Sequence, residues 1–166
     1  MREPPQGVVV ILMGSQSDME HARQIVESLD KLGVPSEVRV ASAHKSPHYL
    51  LQLLAAYEAD GRTKVYITIA GRSNALSGMV DAQVTAPVIA CPPYSDRFAG
   101  ADLFSSLRMP SGVAPAVVLE PAGAALLAVK ILALADGQLA QAVAQTQQEA
   151  RERIIADDAA VRLARA

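Results

Sequence analysis

Val8-Val9-Val10-Ile11-Leu12-Met13 is an unbroken apolar run, the pattern of a β-strand covered on both faces by other layers. It stops at Gly14-Ser15-Gln16-Ser17-Asp18, after which Ile25, Leu29 and Leu32 recur at helical spacing. Ser17 and Glu20 have capping-box spacing, so a helix is expected from about Asp18, and Gly33 ends it after Leu32. The same strand-then-helix alternation repeats along the chain. Strands are expected at 36–40, 64–70, 87–91 and 116–119, and helices at 47–60, 76–83, about 101–107 and 121–135. Ser46-Pro47 opens the second helix, with Ser as the N-cap and Pro in the first turn. Strands that alternate with helices pair in parallel, because each return to the sheet is made by a crossover. The expected class is therefore α/β: a three-layer α/β/α, flavodoxin-like sandwich around a five-stranded parallel sheet. A mostly polar helix over 138–165, with sparse apolar positions (Leu139, Val143, Ile154, Ile155), extends from it and reads as packing along a neighbouring subunit.

At 166 residues the chain reads as a single domain, 1–166, with its core over about 8–136. Half of it (51%) is hydrophobic, which is high for a small monomer and points to further apolar burial between subunits. The net charge of −2 and the lack of any basic run give a nucleic acid little to bind. No stretch approaches the roughly 20 continuous apolar residues of a membrane span, and Met1 to Gly7 holds no apolar segment of signal length. The lone cysteine, Cys91, excludes an intrachain disulfide and fits a reducing cytoplasm.

Candidate chemistry gathers where strands end. After the first strand, Gly14 permits a tight turn, while Ser15 and Ser17 can donate to anionic oxygens beside a helix N-terminus. Such a terminus favours an anion by roughly 0.3–1 kcal/mol. Asp18 would repel a phosphate and suits sugar hydroxyls better. Capping alone would occupy Ser17 and Glu20 but leave Gly14, Ser15 and Asp18 without a task. After the second strand comes Ser42-Ala43-His44-Lys45-Ser46-Pro47. Here a titratable imidazole stands where open α/β sheets bind ligands, Lys45 supplies positive charge, and Ser42 can donate. After the third strand, Ala70-Gly71-Arg72-Ser73-Asn74-Ala75 allows close backbone approach, and its successive amides can form an oxyanion-type nest. The same turn can also be read as a plain helix start, with Ser73 or Asn74 as N-cap and Arg72 in a surface ion pair. Cys91 reads as core rather than nucleophile. His21 and His48 fall in helix first turns and are expected to be exposed. With none of the few Cys and His at ligand spacing, no metal site is expected.

Other occupants of this architecture lack their signatures. A phosphoacceptor domain needs an Asp where Ala70-Gly71 stands, a flavin wants aromatic walls, and the GxGxxG and P-loop patterns are missing.

Gly14-Ser15-Gln16-Ser17-Asp18, Ser42-Ala43-His44-Lys45 and Ala70-Gly71-Arg72-Ser73-Asn74, in order and at matching spacing, resemble the family of aminoimidazole ribonucleotide carboxylases and carboxyaminoimidazole ribonucleotide mutases. The resemblance runs from Val8 to at least Asp136. The mutase branch carries a second histidine where this chain has Ala75, and usually an arginine at the position of Lys45. Arg72-Ser73-Asn74, Cys91-Pro92-Pro93 and Ser105-Ser106-Leu107-Arg108-Met109-Pro110-Ser111-Gly112 resemble the carboxylase branch instead. That branch carboxylates aminoimidazole ribonucleotide with CO2 in purine biosynthesis, without ATP, biotin or metal. The resemblance implies that Ser15, Asp18, Ser42 and Lys45 bind phosphate and ribose. It implies that Gly71, Ser73 and Ala75 lie near CO2 and the new carboxylate, that His44 transfers the proton, and that no cofactor is used. It also implies a homo-octamer with active sites at subunit junctions. The mutase of the same pathway and a non-catalytic nucleotide-phosphate binding module are the alternatives. The roles of Arg72, Cys91 and Arg108, and whether the 93–115 stretch acts as a lid, stay open on sequence alone.

Overall fold

The computed structural model describes residues 7–164. The segment before Gly7, expected to hold no signal sequence, and residue 165, the expected end of the last helix, lie outside them. Five parallel strands, β1 (Gly7–Met13), β2 (Ser36–Val40), β3 (Thr63–Ile69), β4 (Val88–Ala90) and β5 (Ala116–Val117), stand in the order β2-β1-β3-β4-β5. They alternate with α1 (Met19–Lys31), α2 (Pro47–Ala59), α3 (Ala75–Asp81), the one-turn α4 (Phe104–Leu107) and α5 (Pro121–Leu132), and the long α6 (Gly137–Leu163) follows.

All seven residues of β1 are buried, as an apolar run at the centre of a sheet requires. Successive side chains point to opposite faces of a strand, so β1 feeds two cores. Val9, Ile11 and Met13 pack with α1, α5 and the start of α6, through residues such as Ile25, Leu29, Ala128 and Leu139. Val8, Val10 and Leu12 pack with α2 and α3, through Leu50, Leu54, Tyr57 and Val80. Three layers result. Among the described residues no helix is long and apolar enough to cross a membrane.

Two expected caps differ. Ser17 lies inside a 3-10 turn, Gln16–Asp18, whose N-cap is Ser15, and Asp18 occupies the α1 cap position without a side-chain bond. The capping box is not formed. Ser46 stands at the α2 cap position, yet its hydroxyl bonds Ser42 rather than the helix. The fifth strand stops at Val117 and the helix after it at Leu132, both short of expectation. Asp136 ends that connection by accepting from the amides of Gln138 and Leu139, which starts α6.

The strand order places the fold's switch point between β1 and β3. From β1 the chain moves to β2 on one side and then returns to β3 on the other, so the loops leaving β1 and β3 diverge and open a crevice. The register is level there, because Met13 pairs with both Val40 and Ile69. Beyond it, Gly14 N–H donates to Ile69 O at 3.0 Å and Ala41 N–H to Met13 O at 2.9 Å. Three polar loops thus leave the sheet at one height.

Candidate functional site

The first loop is held by its own hydroxyl. Ser15 Oγ accepts from the Ser17 amide at 3.3 Å and from Ser17 Oγ at 3.0 Å, leaving the Ser15 hydroxyl proton free to donate outward. Gly14 is neither left-handed nor crowded, since a Cβ there would meet Ile69 O only at 3.7 Å. Its bareness leaves room above the strand end instead of permitting a tight turn. Half-buried Asp18 caps nothing with its side chain, so its carboxylate is available to a ligand. Burial raises its pKa, opposed by a backbone hydrogen bond from Ser15 and by the nearby His21.

The second loop is tied into a compact turn. Ser46 Oγ accepts from the Ser42 amide at 3.0 Å, Ser42 Oγ accepts from the Lys45 amide at 3.2 Å, and the Ser46 amide donates to Ser42 O at 2.9 Å. Ser42 keeps its hydroxyl proton for a ligand. His44 and Lys45 sit exposed at the tip.

The third loop departs most from expectation. Its backbone turns left-handed at Arg72, φ 62°. Asn74 is the N-cap of α3, accepting from the Ser77 amide at 3.1 Å. Two of the amides expected to meet an anion are already satisfied: Arg72 N–H by Asp102 Oδ2 at 3.2 Å, and Asn74 N–H by Ser105 Oγ at 3.0 Å. Those of Gly71, Ser73 and Ala75 have no partner among the described residues. Arg72 makes no side-chain ion pair among the described residues.

Gly71 lines a cavity of about 290 Å³ at the carboxyl ends of β3 to β5, with Pro93, Tyr94, Asp102, Leu119 and Glu120. Ser73 and Ala75 instead line an adjoining groove of about 410 Å³ with Met79, Arg108 and Met109. Neither space is lined by Ser15, Asp18, Ser42, His44 or Lys45. The chain thus presents a hydroxyl- and charge-bearing pair of loops after β1 and β2, and on the neighbouring strand an amide-bearing turn beside a cavity after β3.

His21 is half-buried, not exposed as expected. Its Nε2 lies 3.3 Å from Cys91 Sγ, which in turn lies 3.6 Å from Leu119 O. Burial lowers the His21 pKa, and burial followed by the charge of Glu120 pushes the Cys91 thiol up to about 12. Cys91 is thus protonated core, whereas His48 is exposed. The sequence carried no local signal for the grip of Asp102, Ser105 and Ser106 on the third loop, because those partners lie about thirty positions away. No group of three or more His, Cys, Asp or Glu is arranged to hold a metal ion among the described residues.

A family model described as AIR carboxylase matches residues 8–153. The phosphoribosylaminoimidazole carboxylase of Treponema denticola is 54% identical over 151 residues, covering 91% of this chain and 95% of that protein. The enzyme of the same name from Archaeoglobus fulgidus is 50% identical over 153 residues, covering 92% and 84%. The multifunctional protein ADE2 of Gallus gallus is 42% identical over 134 residues, 81% of this chain and 32% of that longer protein. The crystal structure of Treponema denticola PurE superposes with a TM-score of 0.91 at 53% identity, covering 92% of this chain and 97% of that one.

Proposed function

The chain belongs to the AIR carboxylase family of purine-biosynthesis enzymes, and from that premise we propose that it carboxylates 5-aminoimidazole ribonucleotide at C4 with CO2. The product is 4-carboxy-5-aminoimidazole ribonucleotide. The observation that carries the choice of carboxylase over mutase is Ala75, a methyl group where the mutase pattern has its second histidine. The Treponema denticola and Archaeoglobus fulgidus relatives, which match over nine-tenths of the chain, are themselves named carboxylases.

The aminoimidazole is an enamine, so its C4 is nucleophilic as it stands, and the reading calls for no cofactor. C4 attacks the carbon of CO2, a C–C bond forms, and one C=O pair moves onto oxygen as carboxylate. C4 is then tetrahedral and still bears hydrogen. His44 as neutral imidazole accepts that proton, and the C–H electron pair restores the aromatic ring. CO2 offers a protein little to hold, so rate must come from positioning and from donors aimed at the developing carboxylate. The unpartnered amides of Gly71, Ser73 and Ala75 suit that task. The hydroxyls of Ser15 and Ser42 and the charge of Lys45 suit the phosphate, and the half-buried carboxylate of Asp18 suits the ribose hydroxyls.

We also propose a cytoplasmic homo-octamer whose sites are completed across subunit junctions. The exposed isoleucines of α6 support this.

The test supplies purified protein with aminoimidazole ribonucleotide and a CO2/bicarbonate mixture, then with the N5-carbamate. Carboxylated product from the first mixture is expected. Product from the carbamate alone would identify a mutase, and ribonucleotide binding with no product from either would identify a binding module. His44→Asn should bind ribonucleotide yet lose turnover by roughly 10²–10⁴-fold, and near-normal turnover would remove His44 from the chemistry. Lys45→Ala should chiefly weaken binding.

A further inference from the structure

The turn that follows β3 is braced from a distant part of the chain. Arg72 holds a left-handed backbone, φ 62°, that side-chain-bearing residues rarely adopt. Such a conformation persists only where neighbours over-determine it, and here three residues do so. Asp102 Oδ2 accepts from the Arg72 amide at 3.2 Å, Ser105 Oγ accepts from the Asn74 amide at 3.0 Å, and Ser106 Oγ accepts from Asn74 Nδ2 at 2.8 Å. Ser105 spends its own proton on Asp102 O at 2.8 Å, which ties the brace to itself. Asn74 is 4% exposed and Ser106 1%, so water is no ready substitute for these bonds.

The brace selects which donors remain. It consumes the amides of residues 72 and 74 and leaves those of 71, 73 and 75 unpartnered. We propose that Asp102, Ser105 and Ser106 are positioning residues, which act through the Arg72 turn and fix it so that its remaining amides face the carboxylate forming at C4. This rests on the carboxylase reading above, which puts that turn beside CO2. The effect therefore falls on the carboxylation step, while the ribonucleotide is held by other loops.

Asp102→Ala and Ser105→Ala remove an acceptor, whereas Asp102→Asn and Ser105→Thr retain one. Both alanine variants should lose about 10- to 100-fold in kcat at saturating ribonucleotide, the scale of a misplacement near 1 Å. Ribonucleotide Kd should stay within about twofold, and the KM for CO2 should rise. The conservative variants should recover most of the loss, and hydrogen exchange at the Arg72 and Asn74 amides should quicken only in the alanine variants. Alanine variants with unchanged kcat and exchange would overturn the proposal. So would a loss shared equally by ribonucleotide binding, or one the conservative variants fail to recover. Should Ser105→Ala not fold, Asp102→Ala, on a half-buried side chain, carries the test alone. A wild-type protein that carboxylates neither substrate would sink the underlying reading; an active wild type with indifferent variants would sink only the brace.

Discussion

Among single residues, His21 shows how a distant contact changes the chemistry of a side chain. Burial is the main cause of its lowered pKa, offset in part by Cys91, Asp18 and Glu120. Between the folded pKa and the ordinary value near 6.5, the unfolded chain binds the proton more readily than the folded one. The stability contributed by keeping His21 neutral is therefore complete above that ordinary value and drains away as pH falls below it. Asp18 acts in the opposite sense, because its raised pKa costs stability as pH climbs above about 3.8. His21→Gln should accordingly flatten the fall in urea-unfolding free energy between pH 7.5 and 5.5, with Asp18 common to both proteins. Parallel slopes in variant and wild type would show that His21 does not carry that dependence. The sequence made His44 conspicuous, since strand, loop and helix start are contiguous there. It left His21 looking like a first-turn surface residue, because the neighbour that buries it is seventy positions away.

For whole elements, periodicity was a faithful guide and hydroxyl chemistry was not. Alternation and helical spacing located all five strands and the helices, because each records which face meets the core. A serine before a helix, by contrast, has several acceptors and donors in reach, and tertiary geometry chooses among them. Ser46 shows the result: its hydroxyl accepts from the Ser42 amide and donates to Ser42 O at 3.3 Å, so it fastens the β2–α2 loop and leaves the helix end bare. Ser46→Ala should therefore spare the helix and loosen the loop that carries Ser42, His44 and Lys45. Two hydrogen bonds at about 1 kcal/mol each set the scale. The proposed phosphate contacts should weaken by about tenfold in ribonucleotide Kd, with far-UV circular dichroism unchanged. A drop in helicity with unaltered Kd would mean the hydroxyl serves the helix after all. Only the end of β5 was illegible: Val118 and Leu119 are apolar enough for a strand, but the register with β4 runs over Ala116 and Val117 alone.

Across the whole molecule, α6 is the helix that one chain leaves mostly uncovered. At 1.5 Å per residue, the 27 residues of α6 extend about 40 Å, yet only Leu139 and Val143 on it are buried. Beyond them Ile154 is 68% exposed, Ile155 69% and Leu163 78%. Isolated helices of modest length are marginal in water, and tertiary packing ordinarily supplies their stability. The apolar composition had already pointed to burial beyond a single chain, but it could not say which element lacked a cover. The proposed assembly, with α6 against other copies of this chain, would account for both facts. Burying an isoleucine contributes roughly 1.5–3 kcal/mol, so Ile154→Glu combined with Ile155→Glu should remove at least about 3 kcal/mol per contact. Light scattering on the eluting protein should show the wild type as an assembly at micromolar concentration and the double variant as smaller species. If neighbouring copies complete the site, turnover should fall with assembly size and return as protein concentration rises, while sheet and core melt as before. A double variant that keeps wild-type mass would leave this face of α6 outside the interface. One that dissociates yet turns over normally when dilute would show that a single chain houses the whole reaction.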